Sequence, residues 1–116
     1  TWNAVHRMVF AQTSSAEEFD GAGNRLPSDA QVFPEQGAFP PQRCLVCFAA
    51  QEELNGTYCL RSSRLPWGGV VYWGPEGRNS HFLYEMRWFG AFAISPADCF
   101  ETVRDQRDWG DVLFCQ

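Results

Sequence analysis

The sequence predicts an all-β fold: a small antiparallel sheet or meander of five to six strands with one short helix, preceded by an extended N-terminal arm. Three observations predict it. From Arg43 onward, short apolar runs alternate with Gly, Pro and Asn turn signals, as in small β domains. Residues 1–42 carry no sustained period of 3.6 or 2, and Gly, Pro, Ser and acids interrupt every apolar pair. A Ser-Pro start at Ser95 and Pro96 marks the one helix. The division is therefore an arm over residues 1–42 and a β domain over residues 43–116.

Within the arm only "VHRMVF", with Val5, Met8 and Val9 on one possible helical face, suggests local structure. A free arm of this composition buries too little apolar surface to offset its ordering entropy, so its own domain or a partner chain must hold it. Phe10, Phe19, Phe33 and Phe39 are spaced along it as anchors. In the domain, "RCLVCFA" (Arg43 to Ala49) is apolar on both faces and reads as a buried strand. Asn55 and Gly56 predict a tight hairpin turn, because both central positions of such a turn need positive φ. "TYCLRS" and "GGVVYWG" give the next strands, and "GPEG" (Gly74 to Gly77) turns the chain back. "HFLYEMRWFGAFAIS" is too long for one ordinary strand and predicts a hairpin turning near Arg87 to Gly90. Its even-phase Phe82, Tyr84, Met86 and Phe92 form the expected core face. The helix follows, with Ser95 as N-cap, Pro96 at the first helical position and Asp98 completing a capping box. Its Cys99, Phe100 and Val103 face the sheet, and "DVLFC" (Asp111 to Cys115) reads as a last strand.

Composition narrows the function. The 116 residues hold nine basic side chains, all Arg, against fourteen acids, a net charge of −5. Phosphate recognition depends on clustered cations, so nucleic acid is excluded as a partner. No run approaches the roughly 20 apolar residues of a membrane-spanning helix. The first residue, Thr1, suggests a trimmed chain whose targeting segment has been removed.

Few residues suggest chemistry. Cys44 and Cys47 form a C-x-x-C without the second pair that a tetrahedral thiolate site needs. Structural disulfides are the expected use of the cysteines, Cys44 or Cys47 with Cys59, and Cys99 with Cys115; buried free thiols are the alternative. His6 and His81 offer no clear dyad with a cysteine, and the adjacent acids Glu17-Glu18 and Glu52-Glu53 read as solvated charge in loops. Asn55-Gly56-Thr57 is also a glycosylation sequon, although the turn accounts for the same residues. Aromatic residues make up 16% of the chain, more than a core this small can enclose. Trp67, Trp73 and Phe89 are therefore expected at a surface, where they anchor a protein partner or form a platform for a sugar or a pigment.

The series "LNGTY" (Leu54 to Tyr58), "GGVVYW" (Gly68 to Trp73), "FLYEM" (Phe82 to Met86) and "FAIS" (Phe92 to Ser95) resembles a small β module of algal and protist proteins. The likeness covers about residues 43 to 95, with the tail similar to the module's last strand. This chain departs from the pattern in Phe92, where Trp is usual, and Glu85, where a second Tyr is usual. The resemblance implies no catalytic residues and no cofactor beyond a peripheral pigment contact. It suggests an accessory subunit of a large assembly, with an algal photosystem–antenna supercomplex in the plastid, at the thylakoid and on its lumenal side, as the concrete expectation. Such a subunit would be peripheral to the membrane and bind other protein subunits. The alternative function is a secreted, lectin-like carbohydrate-binding module.

Overall fold

A computed structural model describes residues 13–38, 40–65, 69–86 and 91–105. The strands in chain order are β1 (Ser14–Phe19), β2 (Arg25–Leu26), β3 (Gln31–Pro34), β4 (Arg43–Cys47), β5 (Gly56–Arg64), β6 (Val70–Gly74), β7 (His81–Met86) and β8 (Ala91–Pro96). Single 3-10 turns cover Glu52–Leu54 and Ala97–Cys99, and the helix α1 spans Phe100–Asp105. From β3 to β8 the chain is an antiparallel meander.

The expected open meander of five to six strands is corrected here: the fold is a closed, mixed barrel of seven strands. β1 closes it, antiparallel to β3 through Ser14↔Val32 and parallel to β8 through Ala16↔Phe92 to Glu18↔Ile94. Both edges that a meander would leave unpaired are thus occupied. The two-residue β2 pairs with the C-terminal half of β1 outside the ring. Residues 14–34, read as part of an arm, supply three strands. Their sequence concealed it because "SSAEEF" places a carboxylate on each face of β1.

Alternation along the strands sends one set of side chains into the barrel and the other outward. The interior cluster is Ala16, Ala30, Val32, Cys44, Val46, Ala49, Leu54, Tyr58, Tyr72, Leu83 and Ile94, with Leu60, Val70 and Phe92 half-buried against it. A second cluster lies on the outer face of β6, β7 and β8. There Val71, Phe82, Tyr84, Met86, Ala91 and Ala93 pack beneath Cys99 and Val103 of the C-terminal turns and beside Phe19 and Leu65. Trp73 and Phe100 cover this cluster. The middle of β7, Phe82 to Tyr84, is therefore buried on both faces, which explains why Leu83 is as enclosed as Phe82. Phe92 was expected on the face of Phe82, but the register sets Phe82 opposite Ser95 and Phe92 opposite Glu85, and Phe92 packs with Ile94 against the interior cluster.

Two local expectations also change. The residues Asn55 and Gly56 do not form a two-residue hairpin: β4 and β5 are joined by residues 48–55, and Asn55 closes the 3-10 turn with extended backbone. Gly56 keeps its positive φ of 142°, with Pro75 packed where a side chain would stand. The helix starts later than expected, because Ser95 and Pro96 remain in β8 and no side-chain cap forms. The "GPEG" turn is found between β6 and β7, where a Cβ on Gly74 would come within 2.7 Å of the Thr57 carbonyl oxygen. The "VHRMVF" segment, the bend at 87–90 and the last strand at 111–115 lie outside the described residues.

Candidate functional site

One end of the barrel is built around a carboxylate. Glu17 and Glu18 are neighbours on β1 and point to opposite sides of the wall. Glu17 faces out and pairs with Arg25 at 2.7 Å. Glu18 points in and is wholly buried, at variance with the reading of the pair as solvated loop charge. Burial raises the Glu18 pKa, but hydrogen bonds from Ser28, Ala50 and Gln51 outweigh it and hold the carboxyl below its ordinary value. The Ser28 hydroxyl donates to Oε2. The Ala50 amide donates to Oε2 at 2.9 Å, and the Gln51 amide and side chain donate to Oε1 at 3.1 and 3.2 Å. A buried charge is tolerable only when its acceptor sites are filled in this way.

The carboxylate thereby ties down the loop joining β4 to β5. Asn55 Oδ1 accepts from the Ala49 amide at 2.9 Å, and the Tyr58 hydroxyl donates to the Leu54 carbonyl at 2.7 Å. Leu54 and Ala49 are drawn into the interior cluster and plug this end. Phe48, just before the three tethered residues, is turned outward. It is 66% exposed, the only exposed large apolar side chain among the described residues, and its φ is 65°. A bulky residue in the left-handed region costs about 1–3 kcal/mol and persists only where its surroundings over-determine it. Here they do, since the next three amides are all held.

The other end is covered by the β3–β4 loop. The Tyr72 hydroxyl donates to the Pro41 carbonyl at 2.7 Å, and Arg43 pairs with Glu35 at 3.1 Å. Burial pushes the Cys44 thiol up to about 12, against a hydrogen bond with Tyr72, so it stays protonated and unreactive near neutrality. Burial likewise raises Tyr58 and Tyr72. His81, at the Glu18 end, is pulled below its ordinary value by burial, opposed by Glu53 and Asp98, and bonds Ser80 through Nδ1 at 2.8 Å.

Comparison with protein-family models, with curated proteins and with solved structures finds no match to this chain.

The expected site residues fall in different places. Phe19 and Phe33 are buried, Phe19 in the outer cluster. Trp73 is half-buried on the outer face, with ring centroids 5.5 Å from Phe82 and 5.1 Å from Phe100, and Arg61 stands 5.5 Å over it. Phe10, Phe39, Trp67 and Phe89 lie outside the described residues, as does His6. Of the departures from the module pattern, Glu85 is exposed and Phe92 half-buried.

The expected disulfide between Cys59 and either Cys44 or Cys47 is corrected: all three are free thiols. Register gives the reason. Cys59 is opposite Arg43, so Cys44 faces the interior while Cys59 faces out, and Cys47 stands four residues further along β4, about 13 Å away at the rise of a strand. Cys99 is buried at the start of the helix, and its expected partner Cys115 lies outside the described residues. Among the described residues no helix is long and apolar enough to cross a membrane, and no three His, Cys, Asp or Glu side chains converge to hold a metal.

Sequence reasoning missed both Glu18 and Phe48. Phe48 sits in "CFAAQ", where it reads as the end of a buried strand. No local turn residue marks it, because the chain is turned by the bonds that Asn55 and Glu18 make to the amides of Ala49, Ala50 and Gln51.

Proposed function

We propose that this chain is a non-catalytic binding subunit that attaches to a protein assembly through the Glu18 end of its barrel, with Phe48 as the anchor. The observation that carries the reading is the outward Phe48 on a left-handed backbone, fixed by a buried carboxylate. Strain of this kind tends to collect at binding sites, and exposed aromatic anchors supply most of the energy of protein interfaces. The interior is consistent with it: Tyr58 and Tyr72 are buried inside the barrel and bond to backbone carbonyls. The more specific reading, a photosystem–antenna supercomplex at the thylakoid, rests on the module resemblance and names the assembly to test first. The sugar-platform alternative draws less support, since Trp73 is packed against Phe82 and Phe100.

The test uses the full chain and its Phe48→Gly variant in a native extract of the source cells, fractionated by sedimentation. Glycine accepts the positive φ freely, so the variant should be as stable as the parent or more so, by about 1 kcal/mol in urea unfolding. The parent is expected in a fast-sedimenting fraction and the variant in the free pool. Equal sedimentation of the two would sink the reading.

A further inference from the structure

We infer that the partner surface taken by Phe48 is basic: an apolar patch flanked by Arg or Lys side chains. The inference rests on Phe48 being the anchor, and it adds the chemistry of what receives it.

Charge around the anchor carries it. Cys47 pairs with Gln31, so the chain just before β3 runs alongside Phe48 and brings the exposed Asp29 to the same rim. Glu52 and Glu53 are exposed in the anchor's own loop. His81 pairs with Pro96, which places the end of β8 and the exposed Asp98 just after it on this rim too. The exposed Glu76 follows Gly74, and its amide donates to the Thr57 carbonyl at the start of β5 at 2.8 Å. Five exposed carboxylates thus share an end whose basic groups, among the described residues, are Arg78, the half-buried His81 and the Arg25 already paired with Glu17.

Such a rim sets the partner. It repels an acidic surface, and it repels the anionic face of a membrane, whose attraction is for polybasic segments. A second copy of this chain would bring its own net charge of −5. A basic protein surface with an apolar centre satisfies ring and rim together, with the charges steering the encounter and the desolvated Phe48 supplying the hold.

The test is made on the full chain with 4-fluorophenylalanine at position 48, read by fluorine NMR. Two helical peptides are titrated, with the same Leu stripe flanked by Lys in one and by Glu in the other. The Lys peptide is expected to shift the fluorine resonance and to bind about tenfold tighter than the Glu peptide, with the difference shrinking as salt rises. The Glu52→Gln, Glu53→Gln double variant, which leaves the Glu18 hydrogen bonds intact, should cut that preference to about threefold. Equal affinities of the two peptides would overturn the inference while leaving Phe48 as the anchor. So would a resonance that neither peptide moves. A shift produced by vesicles of phosphatidylcholine and phosphatidylglycerol, or by raising the protein concentration alone, would overturn it in favour of a membrane or a second copy.

Discussion

The two sides of the barrel wall are built by different means. The outer cluster over β6, β7 and β8 is aromatic packing: Phe82 lies 5.2 Å from Tyr84 and 5.3 Å from Phe100, and Trp73 completes the set. The inner cluster is threaded with polar atoms, from Glu18 at one end to the Cys44–Tyr72 pair at the other. The outer side depends mainly on apolar volume, with the Tyr84 hydroxyl bonded to Ser95 at 3.3 Å and Trp73 Nε1 buried without a partner among the described residues. The inner side needs each buried donor and acceptor matched, because an unmatched one costs more than a matched one returns. Stability can therefore be built redundantly outside, whereas the position of a particular loop is specified from inside.

That contrast can be broken most forcefully at Phe82. Phe82→Ala opens a cavity beneath α1 and is expected to lower stability by about 3–5 kcal/mol in urea unfolding. A loss under about 1 kcal/mol would show that the outer cluster repacks freely. Glu18→Gln comes next. It keeps the shape of the side chain but sets an amide N–H against donors that now meet a carboxylate, for a loss of about 2 kcal/mol. This change should also alter the response to acid. Because the folded Glu18 pKa is depressed, its contribution is present in full above its ordinary value of 4.5 and is lost as pH falls through the folded value. Parent and variant curves should accordingly converge in acid, and a gap that stays constant would mean that Glu18 is not ionised in the fold. The smallest effect is expected at Arg25→Ala, which removes only the exposed pair with Glu17 and should change the unfolding midpoint by less than about 0.5 kcal/mol. An effect as large as that of Glu18→Gln would erase the distinction between the two faces of β1.

Much of the meander was legible. The apolar runs at 43–49, 57–62 and 68–74, the "GPEG" turn and the split of residues 81–95 into two strands all lie where alternation and turn residues put them. The inward side of Cys99 and Val103 was legible as well. The candidate site was not, because its two residues break the rules by which a sequence is read. Glu18 is a charge in a core, and four donors from residues 10 to 33 positions away make that possible. Phe48 is a large ring in solvent, held there by bonds made by the residues after it.

The sequence by itself determined the antiparallel ladder from β4 to β8, since alternation and turn chemistry act between neighbours in the chain. It also determined the acidic balance that constrains the choice of partner. Tertiary structure alone decided that the ladder closes. β1 finds β8 across more than 70 residues of chain, and no local pattern encodes a parallel pairing at that distance. The same closure carries Glu18 to the loop it anchors, and so decides that Phe48 faces outward.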